Sequence, residues 1–231
     1  MGSNYNPKIV TDGLVLCLDA ANNKSYPASG NNWSNLVGSE ILTKSGSNSI
    51  SFLNYFFRFP DVSDTAPDNN NRFAISKSNL LQGSDGTFMA WARVLYTGNK
   101  SNRYIAASSD NLNRMYLRIE INNNVNSVNI VRGDPSTTAT IGTVPINTWY
   151  CSGLTWYNSN TMQGILNNQL LPTTYAFTNT ASFNAYLTIG QQDGVGRVYP
   201  GDIACFYYYN RALTASEVLQ NYNALKGRFG L

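Results

Sequence analysis

The sequence predicts an all-β protein, two antiparallel sheets stacked as a sandwich and closed by one short C-terminal helix. Three observations carry this. Apolar and polar residues alternate with period two in short runs along nearly the whole chain. The runs are separated by Gly, Asn, Asp and Pro clusters every 8–15 residues. No repeating strand–helix–strand alternation of about 30 residues occurs, which leaves antiparallel pairing.

Taken in order, Gly13 to Asp19 is the first strand, followed by a turn-rich stretch with Trp33 as its aromatic anchor. Ser49 to Phe52 and Tyr55 to Phe59 are short strands, the second ended by Pro60, and Phe73 to Ser76 is another. Gly86 to Tyr96 alternates Phe88, Ala90, Ala92 and Val94 against Met89, Trp91, Arg93 and Leu95. Arg114 to Ile121 sets Met115, Leu117, Ile119 and Ile121 against Arg114, Tyr116, Arg118 and Glu120, the pattern of a half-buried strand. Asn122 to Asn124 turns it into Val125 to Val131.

Trp149 to Tyr157, Met162 to Leu166 with its partner beyond Asn167 and Asn168, Tyr186 to Ile189, and Ile203 to Tyr209 bring the expected total to eleven to thirteen strands. The helix begins after Thr214, with Glu217 completing a capping box and Leu213 and Val218 a hydrophobic staple. Val218, Leu219, Tyr222 and Leu225 form its apolar stripe, so a helix of about ten residues is expected on an edge of the sandwich. The expected organisation is an N-terminal arm over 1–10 and a single domain over 11–231.

Composition narrows the chemistry. Only 13% of the 231 residues are charged, about half the usual share, and 32 Asn take their place. No His is present, which removes Ser-His-Asp triads, His general bases and His-ligated metals. Cys17, Cys151 and Cys205 have no C-x-x-C spacing and sit in apolar runs, so they read as buried hydrophobes. The net charge of +3 is spread over isolated Lys and Arg, which argues against a nucleic-acid partner. No apolar run approaches a membrane span, and the N-terminus has no basic segment leading an apolar one, so neither membrane insertion nor standard export is expected.

The last third carries Asn147-Thr-Trp-Tyr150, Leu154-Thr-Trp-Tyr157, Gly164-Ile-Leu-Asn-Asn168, Leu187-Thr-Ile-Gly190, Tyr199-Pro-Gly-Asp-Ile203 and Tyr208-Tyr-Asn-Arg-Ala-Leu-Thr-Ala-Ser-Glu217 in one order. This set resembles the concanavalin A-like, laminin-G-like jelly-roll family. Tyr5 to Ala20, Ser25-Tyr-Pro27, Trp33 to Leu36 and Gln220 to Phe229 resemble laminin-G-like proteins encoded by tailed bacteriophages. The resemblance is weakest between about Asp61 and Gly142. It implies a virion structural protein made in the bacterial host's cytoplasm and displayed on the particle, as tail fibre, tail tip or capsid decoration. Other virion proteins are then its partners, and a homo-oligomer is expected, a trimer by analogy.

Three functions are weighed on these residues. A carbohydrate-binding adhesin touching host glycan needs exposed aromatics and uncharged hydrogen-bond formers; Tyr199 and Tyr207, with Asp193, are its rim candidates, among Tyr96, Tyr104, Tyr116, Tyr208 and Tyr209. A polysaccharide depolymerase needs two carboxylates about 5–10 Å apart. Asp193 and Asp202 are the nearest, but both are placed in loops, so the chain is expected to carry no catalytic residues and not to be an enzyme. No cofactor is expected, with calcium the one ion considered, on the loop carboxylates Asp134 and Asp193. Arg211 is expected to reach from the strand–helix corner to carbonyls or a carboxylate.

Overall fold

The computed structural model describes residues 8–45, 50–60, 71–75, 83–109, 114–133, 137–178, 186–192 and 197–231. Two eight-stranded antiparallel sheets face each other. The first contains β1 (Leu14–Asp19), β4 (Ser51–Leu53), β5 (Phe56–Arg58), β7 (Gly86–Val94), β12 (Trp149–Tyr157), β13 (Thr161–Leu166), β14 (Gln169–Ala176) and β16 (Gly201–Tyr209). Its order is β14-β13-β12-β7-β16-β5-β4, with β1 also pairing β16. The second contains β2 (Asn32–Ser34), β3 (Ile41–Ser45), β6 (Arg72–Ile75), β8 (Lys100–Ser109), β9 (Arg114–Asn122), β10 (Val125–Gly133), β11 (Thr137–Val144) and β15 (Tyr186–Ile189). Its order is β11-β10-β9-β8-β15-β6-β3-β2.

The period-two alternation sorts side chains as expected. Phe88, Ala90, Ala92 and Val94 of β7 meet Met115, Leu117, Ile119 and Ile121 of β9 in the core between the sheets. Large rings fill its ends: Trp33 lies edge-on to Phe57 and Phe73, and Trp156 stacks parallel to Tyr208. Aromatics of this size each remove 150–250 Å² from water, the dominant favourable term in such a core. Gly86 sits beneath Trp156, where any Cβ would overlap the indole ring.

The helix, α1 (Ala215–Leu225), starts at the Thr214 capping box, with both reciprocal hydrogen bonds formed. It does not lie on an edge. Together with the 3-10 turn Lys226–Phe229 it covers the outward face of the first sheet, where Trp91 stacks on Phe229 at 4.4 Å and on Tyr222 at 5.3 Å. The reason is the opposite face of β7: Met89 and Trp91 point away from the core and need a cover. Leu219, assigned to the buried stripe, is exposed, and Asn221 is buried in its stead. All three cysteines are free and buried in or beside this second cluster.

Sixteen strands are present among the described residues, more than the eleven to thirteen expected. The additional ones, β2, β3, β8 and β11, have little apolar alternation. β8 is irregular as well, with Asn102 at φ 50° and register shifts against β9 that break its period. Of the N-terminal arm, residues 8–10 lie along α1 and Val10 is buried, while residues 1–7 are outside the described residues.

Candidate functional site

The outward face of the second sheet bears a groove of about 470 Å³ across β3, β6 and β15. Alternation sends Leu42, Phe73, Leu187 and Ile189 inward to the core. Their neighbours Ile41, Thr43 and Ser45, Arg72 and Ala74, and Tyr186 and Thr188 line the groove, with Ile75 at its margin. Register pairs Thr43 with Ala74 and Ala74 with Thr188, a row straight across three strands. Ser45 pairs with Arg72 in the next row.

Strands lie about 4.8 Å apart, so the three span about 10 Å. Ala74 keeps the floor low between two threonines. Ile41 and Tyr186 stand at one end as apolar walls, 46% and 44% exposed, well above the rest of the lining aromatics and aliphatics of this sheet. The Thr188 hydroxyl donates to the Ala107 carbonyl at 3.1 Å and is buried, so Thr43 and Ser45 supply the hydroxyls nearer to solvent. An exposed ring and hydroxyls along one groove suit a ligand with both C–H faces and hydroxyl groups.

The residues singled out from sequence lie elsewhere. Tyr199 and Tyr207 are not on a rim; both are buried. Tyr199 shares a 2.9 Å hydrogen bond with Tyr150 inside the core, and burial pushes the pKa of both phenols above the ordinary tyrosine value. Tyr207 packs with Cys17 and Cys205 beneath the C-terminal segment. Tyr208 and Tyr209 are buried too, and Tyr104 and Tyr116 form a closed patch with Ala107 and Val131. Tyr96 is partly buried under the Lys100 ammonium, 4.5 Å from its ring centre. Asp134 and Asp193 are outside the described residues, and among the described residues no three acidic or cysteine side chains gather to hold a metal.

Asp202 is in a strand, not a loop, and is wholly buried. Arg58 Nε donates to its Oδ1 at 2.8 Å and Arg93 Nη2 to its Oδ2 at 2.6 Å. The bond to Asp202 raises the Arg58 pKa above the usual guanidinium value. The carboxylate is engaged with these two cations and is not among the residues that line the groove. Arg211 behaves as expected: it reaches the Ala212 carbonyl and both Glu217 carboxylate oxygens. The groove residues were missed because they come from three strands far apart in sequence. Tyr186 and Thr188 share a face by alternation, the one signal present.

A comparison with curated proteins gives no match. Solved structures do. Trypanosoma rangeli sialidase, in complex with 2-keto-3-deoxy-D-glycero-D-galacto-2,3-difluoro-nononic acid, is similar over 94% of this chain and 33% of its own, with 14% identity and a TM-score of 0.70. The binding domain of Botulinum neurotoxin DC in complex with rat synaptotagmin II is similar over 92% of this chain and 52% of its own, with 14% identity and a TM-score of 0.69. The same domain in complex with SialylT gives 13% identity over 92% and 51%, with a TM-score of 0.64. The chain thus spans about a third of the sialidase and half of the toxin domain, and at these identities the likeness is one of fold.

It also corrects one expectation. The chain was expected not to be an enzyme, yet its fold is shared by a sialidase as well as by toxin binding domains. The sandwich serves catalysis and binding alike, so neither the fold nor the missing histidines exclude an activity. What sequence and architecture establish together is membership: residues 67–219 match the Laminin_G_3 description, and the chain belongs to the concanavalin A-like lectin/glucanases superfamily.

Proposed function

We propose that the chain is a carbohydrate-contacting module displayed on the particle of a tailed phage, where it meets host surface glycan. The observation that carries the glycan reading is the groove over β3, β6 and β15, with the exposed Tyr186 ring at one end, the exposed Thr43 along it and Ser45 towards the other end. A pyranose offers a C–H face for the ring and hydroxyls for the row. Solved structures with this fold include a toxin binding domain in complex with SialylT, which supports the reading without assigning the sugar.

The particle reading rests on the likeness of Tyr5 to Ala20 and Gln220 to Phe229 to phage-encoded proteins, and it makes other virion proteins its partners and the host cytoplasm its place of synthesis. Glycan-array binding followed by calorimetry tests the first reading. Tyr186→Ala is expected to abolish array signals while leaving the melting temperature unchanged. Binding equal to wild type in that variant, or silence of the folded wild-type chain on broad arrays, would overturn it. Mass spectrometry of purified virions tests the second, which fails if the polypeptide is missing.

A further inference from the structure

A sheet edge exposes unpaired N–H and C=O groups, and proteins blunt such edges with short strands, prolines, charges or bulges. Five strands have a single partner in the two sheets: β1, β2, β4, β11 and β14. The free side of β1 is screened by the segment after β2, where the Leu36 N–H donates to the Cys17 carbonyl and Asn35 Nδ2 to the Val15 carbonyl. β2 and β4 are three residues each. β14 contains Pro172, and its register against β13 shifts there. β11 is different. It runs for eight residues, Thr137–Val144, with no proline and no charge. From Thr137 to Thr140 its register against β10 is unbroken, Thr137 facing Arg132 and Thr140 facing Asn129, and the one shift falls at Ile141. No other strand pairs its outward edge among the described residues.

We propose that β11 is a homotypic interface, at which two copies of this chain join antiparallel across a twofold axis. The strand is complementary to itself. With Ala139 on the axis, Thr138 of each copy falls opposite Thr140 of the other on the solvent face, a favourable cross-strand pair. Ala139 points into the core and is small, so the two strands approach without a clash. A charge-free strand meets its copy without like-charge repulsion. Because the other end of this sheet is the three-residue β2, the pairing closes as a dimer and does not propagate as a fibre. A twofold contact also departs from the threefold arrangement expected by analogy.

The test is sedimentation of the full chain between about 1 and 100 µM, the range of modest interfaces, beside the double variant Thr138→Lys/Thr140→Lys. Both threonines are exposed, so the variant is expected to keep the wild-type melting temperature. It sets lysines opposite lysines at the axis, which should weaken the dimer by about tenfold or more, with recovery in high salt. A wild-type chain that stays monomeric over this range overturns the proposal. So does a folded double variant that dimerises as wild type does.

Discussion

Arg93 Nη2 lies 2.6 Å from Asp202 Oδ2, and the carboxylate it holds has no exposure to solvent. Arg93 itself is 4.9 Å from the ring centre of Trp149 and 5.3 Å from that of Phe56, so its charge is framed by aromatic faces. Arg58 completes the clamp but is 43% exposed. Removing the buried anion leaves Arg93 without its counter-charge between two rings. Asp202→Ala should therefore cost about 3–5 kcal/mol. Arg58→Ala should cost less, about 1 kcal/mol, because water replaces its exposed part. Chemical denaturation of the two variants checks the order; equal losses would show that the clamp is not centred on Arg93.

Asn221 joins the start of the chain to its end. Its Oδ1 accepts the Val10 N–H at 2.8 Å and its Nδ2 donates to the Tyr209 hydroxyl at 3.1 Å, while that hydroxyl donates to the Val10 carbonyl. All these groups are buried, so truncation strands a donor and an acceptor. Asn221→Ala should lower stability by about 1–3 kcal/mol. Hydrogen exchange at the Val10 amide should accelerate more than exchange in β9, since the loss falls on the arm. Uniform acceleration across both would contradict this reading.

The residues of this clasp show what sequence reveals and what it hides. The alternation in β7 and β9 was legible because period two survives wherever one face meets the core. The Thr214 and Glu217 cap was legible because its partners are three residues apart. Asn221 was not, since a polar residue inside a helix reads as solvent-facing until Val10 and Tyr209 come to it from 211 and 12 residues earlier in the chain. The same holds for the groove. Thr43, Ala74 and Thr188 form one row only through strand order, while Tyr207 was misread because both faces of β16 are covered, one by the core and one by the C-terminal segment, and Tyr199 because its partner Tyr150 is 49 residues away.

The hairpin between β9 and β10 turns on Asn123 and Asn124, at φ 49° and 64°. Both occupy the left-handed region that a two-residue hairpin turn requires and that a Cβ opposes. The Asn123 backbone N–H donates to Asn99 Oδ1 at 2.7 Å, and no hydrogen bond is made by its own side chain among the described residues. Asn123→Gly should thus be neutral within about 0.5 kcal/mol, whereas Asn123→Ala should cost about 1 kcal/mol. Thermal melts of the pair separate backbone strain from side-chain bonding, because a side-chain role would make Gly as costly as Ala.

Glu217 makes stability depend on acidity in a known direction. Hydrogen bonds from Arg211 are the main cause, with the backbone and side chain of Thr214 adding to them, and together they hold its carboxyl at about 2 against an ordinary value of 4.5. A depressed folded value means the unfolded chain binds the proton first as the pH falls. The contribution is therefore complete above about pH 4.5 and is lost progressively towards pH 2. The side chain is 24% exposed, so solvent screening reduces the contribution to about 1–2 kcal/mol. Denaturant titrations of wild type and Glu217→Gln should differ by that amount at pH 7 and converge near pH 2. A constant gap at all pH values would mean that Glu217 acts through its shape in the cap and not through its charge on Arg211.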